Sequence, residues 1–269
     1  MTHFGPGPTD SLYVALLCYA AGTVVALASL FTRDKRPQFA ALLLMIGGFA
    51  AHTFWIGTIC VRTGHPPLTN LPEAAAFMSW TIFAVELVLY IRYRVYAASF
   101  FVYPLVFTLL AIAAVIGETF AHLDSSLRSS LFTTHILLST VGAAALLIGL
   151  AFTLLAFVQD RSLKSKRRGA LWDLIPSLSV CRMVGYRALA IGFSIYTLGL
   201  IAGVIWSYRT RADLMVPSAK EIGAILAWIF FAILLQSFIS GAYHARRTIF
   251  FSAGAFVSII VAILGIAHG

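Results

Sequence analysis

Charge is what this sequence lacks most. Asp, Glu, Lys and Arg together make 11% of the residues, while apolar and aromatic types make 60%. A water-facing surface normally carries roughly a quarter to a third charged residues, so a soluble globular fold is excluded. Acidic residues are the scarcer kind: ten Asp and Glu stand against nineteen Lys and Arg, a formal net charge of +9. Cysteine is nearly missing too. Cys18, Cys60 and Cys181 are scattered, and no CxxC or CxxCH occurs. That excludes a thiol-redox pair and a covalent haem attachment, and leaves each cysteine as a small buried hydrophobe. HExxH, GxSxG and Walker patterns are also absent, so nothing supports a membrane protease, a hydrolase or a nucleotide-driven engine.

Long apolar runs are what the sequence has. Runs of roughly 20 apolar residues are the length that a hydrocarbon core of about 30 Å demands. Eight are read here: Ser11 to Phe31, Phe39 to Val61, Leu71 to Ile91, Ser99 to Phe120, Leu131 to Val158, Ala188 to Tyr208, Glu221 to Phe238, and Thr248 to Ala267. The expected fold class is all-α: a polytopic membrane helical bundle of about eight transmembrane helices, forming one domain over residues 1–269. The first run reads as a retained span, since no soluble part follows it. Basic residues orient the bundle. Fourteen Lys and Arg, from Arg33 to Arg247, fall in the connections on one side; five, Arg62, Arg128, Arg209, Arg211 and Lys220, fall on the other. The positive-inside rule puts the first set in the cytoplasm and both termini outside. The positive charge is then a topology signal plus contact with membrane lipid, and nucleic acid is not an expected partner.

Between the second and third runs lies Gly64 to Trp80, GHPPLTNLPEAAAFMSW. Gly64, Pro66 and Pro67 break the helix. Thr69 or Asn70 caps the next one, Pro72 fits near its first turn, and Glu73 suits the positive end of its dipole. The segment is a rigid re-entry into the bilayer with His65 on its outer lip. Gly199 and Gly203 form a GxxxG in the sixth run, which lets another helix come close and reads as packing, not as a site.

Seven histidines occur, and their depth is informative. His65, His122, His135 and His268 all fall toward the external face. His52 is at mid-bilayer, His244 on the inner side, and His3 in the N-terminal segment. A histidine in or near hydrocarbon is costly without a partner or a task. Imidazole is also the usual axial ligand of haem iron, with cations nearby for the propionates. His135 and His268 are the candidate iron ligands, with His65 and His52 as further haem contacts and Arg211 and Lys220 as candidate cations. An interfacial hydrogen-bonding role remains the plain alternative for each. The paired mid-depth histidines of a transmembrane b-type cytochrome are missing. Glu86 and Glu118 are intramembrane carboxylates at opposite ends of their spans. Local pairing, of Glu86 with the nearby Arg92 or Arg94, or snorkelling reads better than a transport relay.

Three passages then resemble the cytochrome c assembly proteins of the CcsA/ResC/HemX type, relatives of CcmC and CcmF. Gly64 to Trp80 is similar to the family's GHxPxSNxYExxxFxxW, with Gly64, His65, Pro67, Asn70, Glu73, Phe77 and Trp80 in place. His135 within LFTTHILLSTVGAAALLIG resembles the family's external histidine before a long span. Tyr186 to Trp228 and the ending LGIAHG, with His268, complete the likeness. The departure is in the tryptophan-rich window WGxxWxWDPKE. Here it reads RADLMVPSAKE: Arg211, Met215 and Pro217 occupy the tryptophan places, and only Lys220 and Glu221 remain. Gln236 sits near where many relatives have an intramembrane histidine.

The resemblance implies haem handling at the external face in cytochrome c biogenesis, with haem b as cofactor. It implies another membrane assembly protein and apocytochrome c as partners, and the bacterial inner membrane as location. Reaction chemistry need not reside in this chain. The eroded window keeps a second expectation open, a non-haem-binding assembly or regulatory subunit of the HemX kind. A small-molecule transporter, resting on Glu86 and Glu118 alone, is the third.

Overall fold

The computed structural model describes residues 8–32, 36–64, 66–68, 70–96, 98–117, 129–165, 176–210, 219–240 and 245–264. Every regular element among them is a helix: α1 (Pro8–Thr32), α2 (Arg36–Thr63), α3 (Leu71–Tyr93), α4 (Ser99–Ile116), α5 (Ser130–Ser165), α6 (Leu178–Thr210), α7 (Ala219–Ile239) and α8 (Ala245–Leu264). The first seven are long and apolar enough to cross a membrane; α8 offers a shorter apolar stretch, Thr248–Ala262. The chain is an all-α integral membrane protein.

Two helices overrun their apolar cores. α6 starts at Leu178, ten residues before the hydropathic run. Its added turns bury Cys181, Val184 and Gly185 while Arg182, Tyr186 and Arg187 stay exposed. α5 continues to Ser165, where Asp160 pairs with Lys164 at 2.6 Å and approaches Arg182 at 3.7 Å. Hydropathy detects only the part of a helix that needs lipid; backbone hydrogen bonding carries the helix further.

Helices α1–α4 form one compact unit and α5–α8 another. In lipid, no hydrophobic drive holds helix to helix, so close packing and hydrogen bonds must do it. In the first unit, the Tyr19 ring fills the space beside Gly48, where an added Cβ would lie 2.7 Å from the ring. The Ser79 hydroxyl donates to the Val106 carbonyl at 2.8 Å, tying α3 to α4. Trp80 Nε1 donates to Thr53 Oγ1 at 2.8 Å, and its ring stacks on Phe49 at 5.3 Å, tying α3 to α2.

The turn into α3 follows the sequence reading closely. Gly64 adopts φ +75°, a left-handed conformation suited to glycine, and its N–H donates to the Cys60 carbonyl at the end of α2. Asn70 is the N-cap, its side chain accepting from the Glu73 N–H at 2.9 Å. Thr69, the other candidate cap, lies outside the described residues. Phe77 stacks on Trp80, so much of the GHPPLTNLPEAAAFMSW passage is spent on building this corner.

The second unit is drawn together by glycine. α5 and α6 make the most extensive helix pairing among the described residues. At Gly142 an added Cβ would meet the Tyr196 backbone nitrogen at 2.5 Å, and at Gly192 it would meet the Leu146 nitrogen at 2.9 Å. Trp228 Nε1 donates to Thr197 Oγ1 at 2.9 Å and the Tyr196 hydroxyl to the Ala224 carbonyl at 3.3 Å, joining α7 to α6.

Candidate functional site

His135 sits in the second turn of α5, at the end of the glycine seam. Its Nδ1 lies 2.7 Å from the Gly199 carbonyl oxygen on α6. A carbonyl only accepts, so Nδ1 carries a proton, and in the neutral form of the ring the lone pair is on Nε2. The Ser139 hydroxyl, one turn along α5, lies 3.3 Å from the same Nδ1. Gly203 closes the seat: a Cβ there would fall 2.5 Å from His135 Cε1 and 2.6 Å from Nδ1. One turn toward the start of α5, Phe132 packs against Trp206 of α6 with ring centroids 4.9 Å apart. The imidazole is therefore fixed in position, tautomer and tilt by backbone and glycine, beside an aromatic pair.

Histidines that bind metals are commonly held in this way, with the nitrogen away from the metal bonded to a carbonyl. A haem iron takes an Nε2 lone pair of this kind, and flat aromatic faces suit a porphyrin. The residues present at His135 fit the group.

His52 is set differently. It is fully buried in the first unit, with Tyr19 and Trp55 rings at 5.9 and 5.8 Å. Its Nδ1 is 3.5 Å from the Tyr19 hydroxyl, the outer limit of a hydrogen bond, and its Nε2 has no partner. A porphyrin could reach that nitrogen only by displacing those rings. The expected pairing of Glu86 with Arg92 or Arg94 is overturned. Glu86 is 3% exposed and its Oε2 lacks a partner, while Arg92 and Arg94 lie over the Tyr93 and Tyr90 rings at 5.3 and 5.5 Å.

His65, His268 and Arg211 lie outside the described residues, as do His122 and Glu118; Lys220 is on α7 with its side chain outside them. Gln236 is an exposed side chain of α7. Among the described residues no three His, Cys, Asp or Glu side chains cluster as a metal site. Sequence reasoning missed Gly199 and Gly203 as parts of the site, since GxxxG signals close approach without saying what approaches. It also passed over Phe132, although Phe132 and His135 share a helix face by their i, i+3 spacing.

A membrane helical bundle that presents an anchored imidazole beside aromatic rings is the class that fold and site define. Residues 68–268 match the family described as Cytochrome C assembly protein, and the chain belongs to that family. It is 25% identical over 265 residues to the cytochrome c biogenesis protein CcsA of Prochlorococcus marinus (strain MIT 9301), covering 90% of this chain and 85% of the relative. It is 24% identical to the protein of that name from Guillardia theta, over 95% of this chain and 89% of the relative. The one from Gloeothece citriformis (strain PCC 7424) is 23% identical, over 78% and 79%. The chain's role is haem handling in cytochrome c biogenesis.

Proposed function

We propose that this chain holds haem b, bound without covalent attachment, at the non-cytoplasmic face of the membrane, with His135 as an axial ligand. The observation that carries this is the 2.7 Å bond between His135 Nδ1 and the Gly199 carbonyl, which leaves Nε2 as the ring's lone-pair nitrogen. His268 is the second ligand and His65 the third candidate in this reading, with His52 a haem contact only if the first unit opens. Arg211 and Lys220 would supply the cations for the propionates. These assignments outside His135 rest on the sequence resemblance, and the external placement rests on the distribution of basic residues.

Bound haem supplies the group that apocytochrome thiols take up. The chain's own work is to bind and orient it: Gly199 holds the imidazole proton, Gly203 sets the ring's height, and the Phe132–Trp206 pair offers an apolar, aromatic wall. Apocytochrome c and another membrane assembly protein are the partners, and the bacterial inner membrane is the location. The single-domain reading of residues 1–269 belongs to the same proposal, since the matched segment 68–268 draws on helices of both units.

Purified protein is expected to show a Soret band that is lost or strongly weakened in His135→Ala and retained in His52→Ala. A spectrum without haem after reconstitution refutes the binding reading. One observation favours a second reading: Arg211, Met215 and Pro217 stand where the family's external tryptophans are expected. A pigment-free chain that co-purifies with a stable membrane complex would make it an assembly subunit without haem.

A further inference from the structure

Five buried side-chain nitrogen or oxygen atoms lack a partner among the described residues, and four of them, on Thr23, Gln38, His52 and Glu86, lie in the first unit. The haem reading uses His52 only if the first unit opens, and uses none of the others. Glu86 is the sharpest case, because an ionised carboxylate buried in hydrocarbon needs a counter-charge. Its two sequence-expected cations are turned onto tyrosine rings instead.

A hydrogen-bonded tyrosine pair begins one helical turn from it. The Tyr90 and Tyr96 hydroxyls are 2.7 Å apart where α3 passes into α4. Tyr96 is half-buried there, and Arg94 over the Tyr90 ring is exposed. Burial first, and then the hydrogen bond and charge of Tyr90, push the Tyr96 hydroxyl up to about 12, with Arg94 acting in the opposite direction. Tyr96 therefore keeps its proton at neutral pH. Glu86 is one helical turn from Tyr90 on α3. Tyr103 of α4 is 2% exposed, and Phe83 stands 6.0 Å from both the Tyr103 and the Tyr19 rings.

We propose that Glu86 is a proton-binding carboxyl inside the first unit, reached from the α3–α4 end through the hydroxyls of Tyr96 and Tyr90. The step is proton transfer alone. The carboxyl O–H bond breaks as its proton passes to the Tyr90 oxygen, which releases its own proton to Tyr96 and on to water; no electron moves. In the closed unit the carboxyl is in its protonated form, and releasing the proton requires the unit to admit water or a cation. This site is independent of His135 and stands whether or not that residue binds iron.

Infrared spectroscopy of the purified full-length chain tests it. The spectrum is expected to contain the C=O stretch of a protonated carboxylic acid, above the amide I band. Glu86→Gln removes it and Glu86→Asp returns it at a shifted frequency, while Glu73→Gln leaves it in place. On transfer to heavy water the band shifts, and the shift is slower in Tyr90→Phe. A band untouched by Glu86→Gln overturns the site, and an equal exchange rate in Tyr90→Phe overturns the route. Unchanged amide I in the variants shows that the helices are intact.

Discussion

The two four-helix units solve the same packing problem with different residues, and the difference separates two kinds of chemistry. The second unit uses glycine to bring α5 and α6 into backbone contact, and it satisfies its key histidine with a carbonyl. Polarity there is spent: only Ser252 keeps an unpartnered buried atom among its described residues. The first unit packs with large rings, Tyr19, Phe49, Phe83, Trp80 and Tyr103, and leaves imidazole and carboxyl groups buried without full partners. A rigid, satisfied imidazole suits holding a metal. Buried, unsatisfied ionisable groups suit gaining and losing protons.

The comparison breaks most visibly at the glycines. Gly142→Val in the second unit drives its Cβ against the Tyr196 backbone, which cannot yield as a side chain could. A loss of about 3 kcal/mol is expected, enough to abolish folding of a marginal protein. Gly57→Ala in the first unit meets nothing within 4 Å and should gain up to about 1 kcal/mol from helix propensity. Thermal unfolding in detergent reads both, and equal behaviour would remove the contrast between seam and ring packing.

The histidines sharpen it next. His52→Ala should lower the unfolding temperature by opening a cavity worth about 2 kcal/mol, and keep the pigment. His135→Ala should lose pigment with little change in the melting curve once haem is stripped from both samples. The reverse pairing would assign haem to the first unit. Trp80→Phe removes the bond to Thr53 while keeping most of the stacked ring, and should cost about 1 kcal/mol. Asn70→Gly is the smallest change, a few tenths of a kcal/mol, because glycine tolerates the cap conformation without supplying the side-chain acceptor.

Much of the fold was legible because lipid imposes its own grammar. Apolar runs located all eight helices, and the proline and asparagine chemistry of residues 64–73 located the corner before α3. The site was legible only in part. His135 stood out by type and depth, but its tautomer depends on Gly199, sixty-four residues away, and no local pattern carries that pairing. Glu86 was misread for a related reason. Arg92 and Arg94 are close in sequence, yet Arg94 takes a left-handed conformation as the C-cap of α3, and both guanidinium groups lie over tyrosine rings.

By itself, the sequence determined that the chain enters a membrane as helices, where they begin and end to within a few turns, and which side chains are too polar to be there idly. Those are local matters, governed by hydropathy, capping and the cost of charge in hydrocarbon. Only the tertiary structure decided which polar groups find partners. Contact between distant helices turned one imidazole into a fixed donor and acceptor, and left one carboxyl enclosed with an oxygen unmatched.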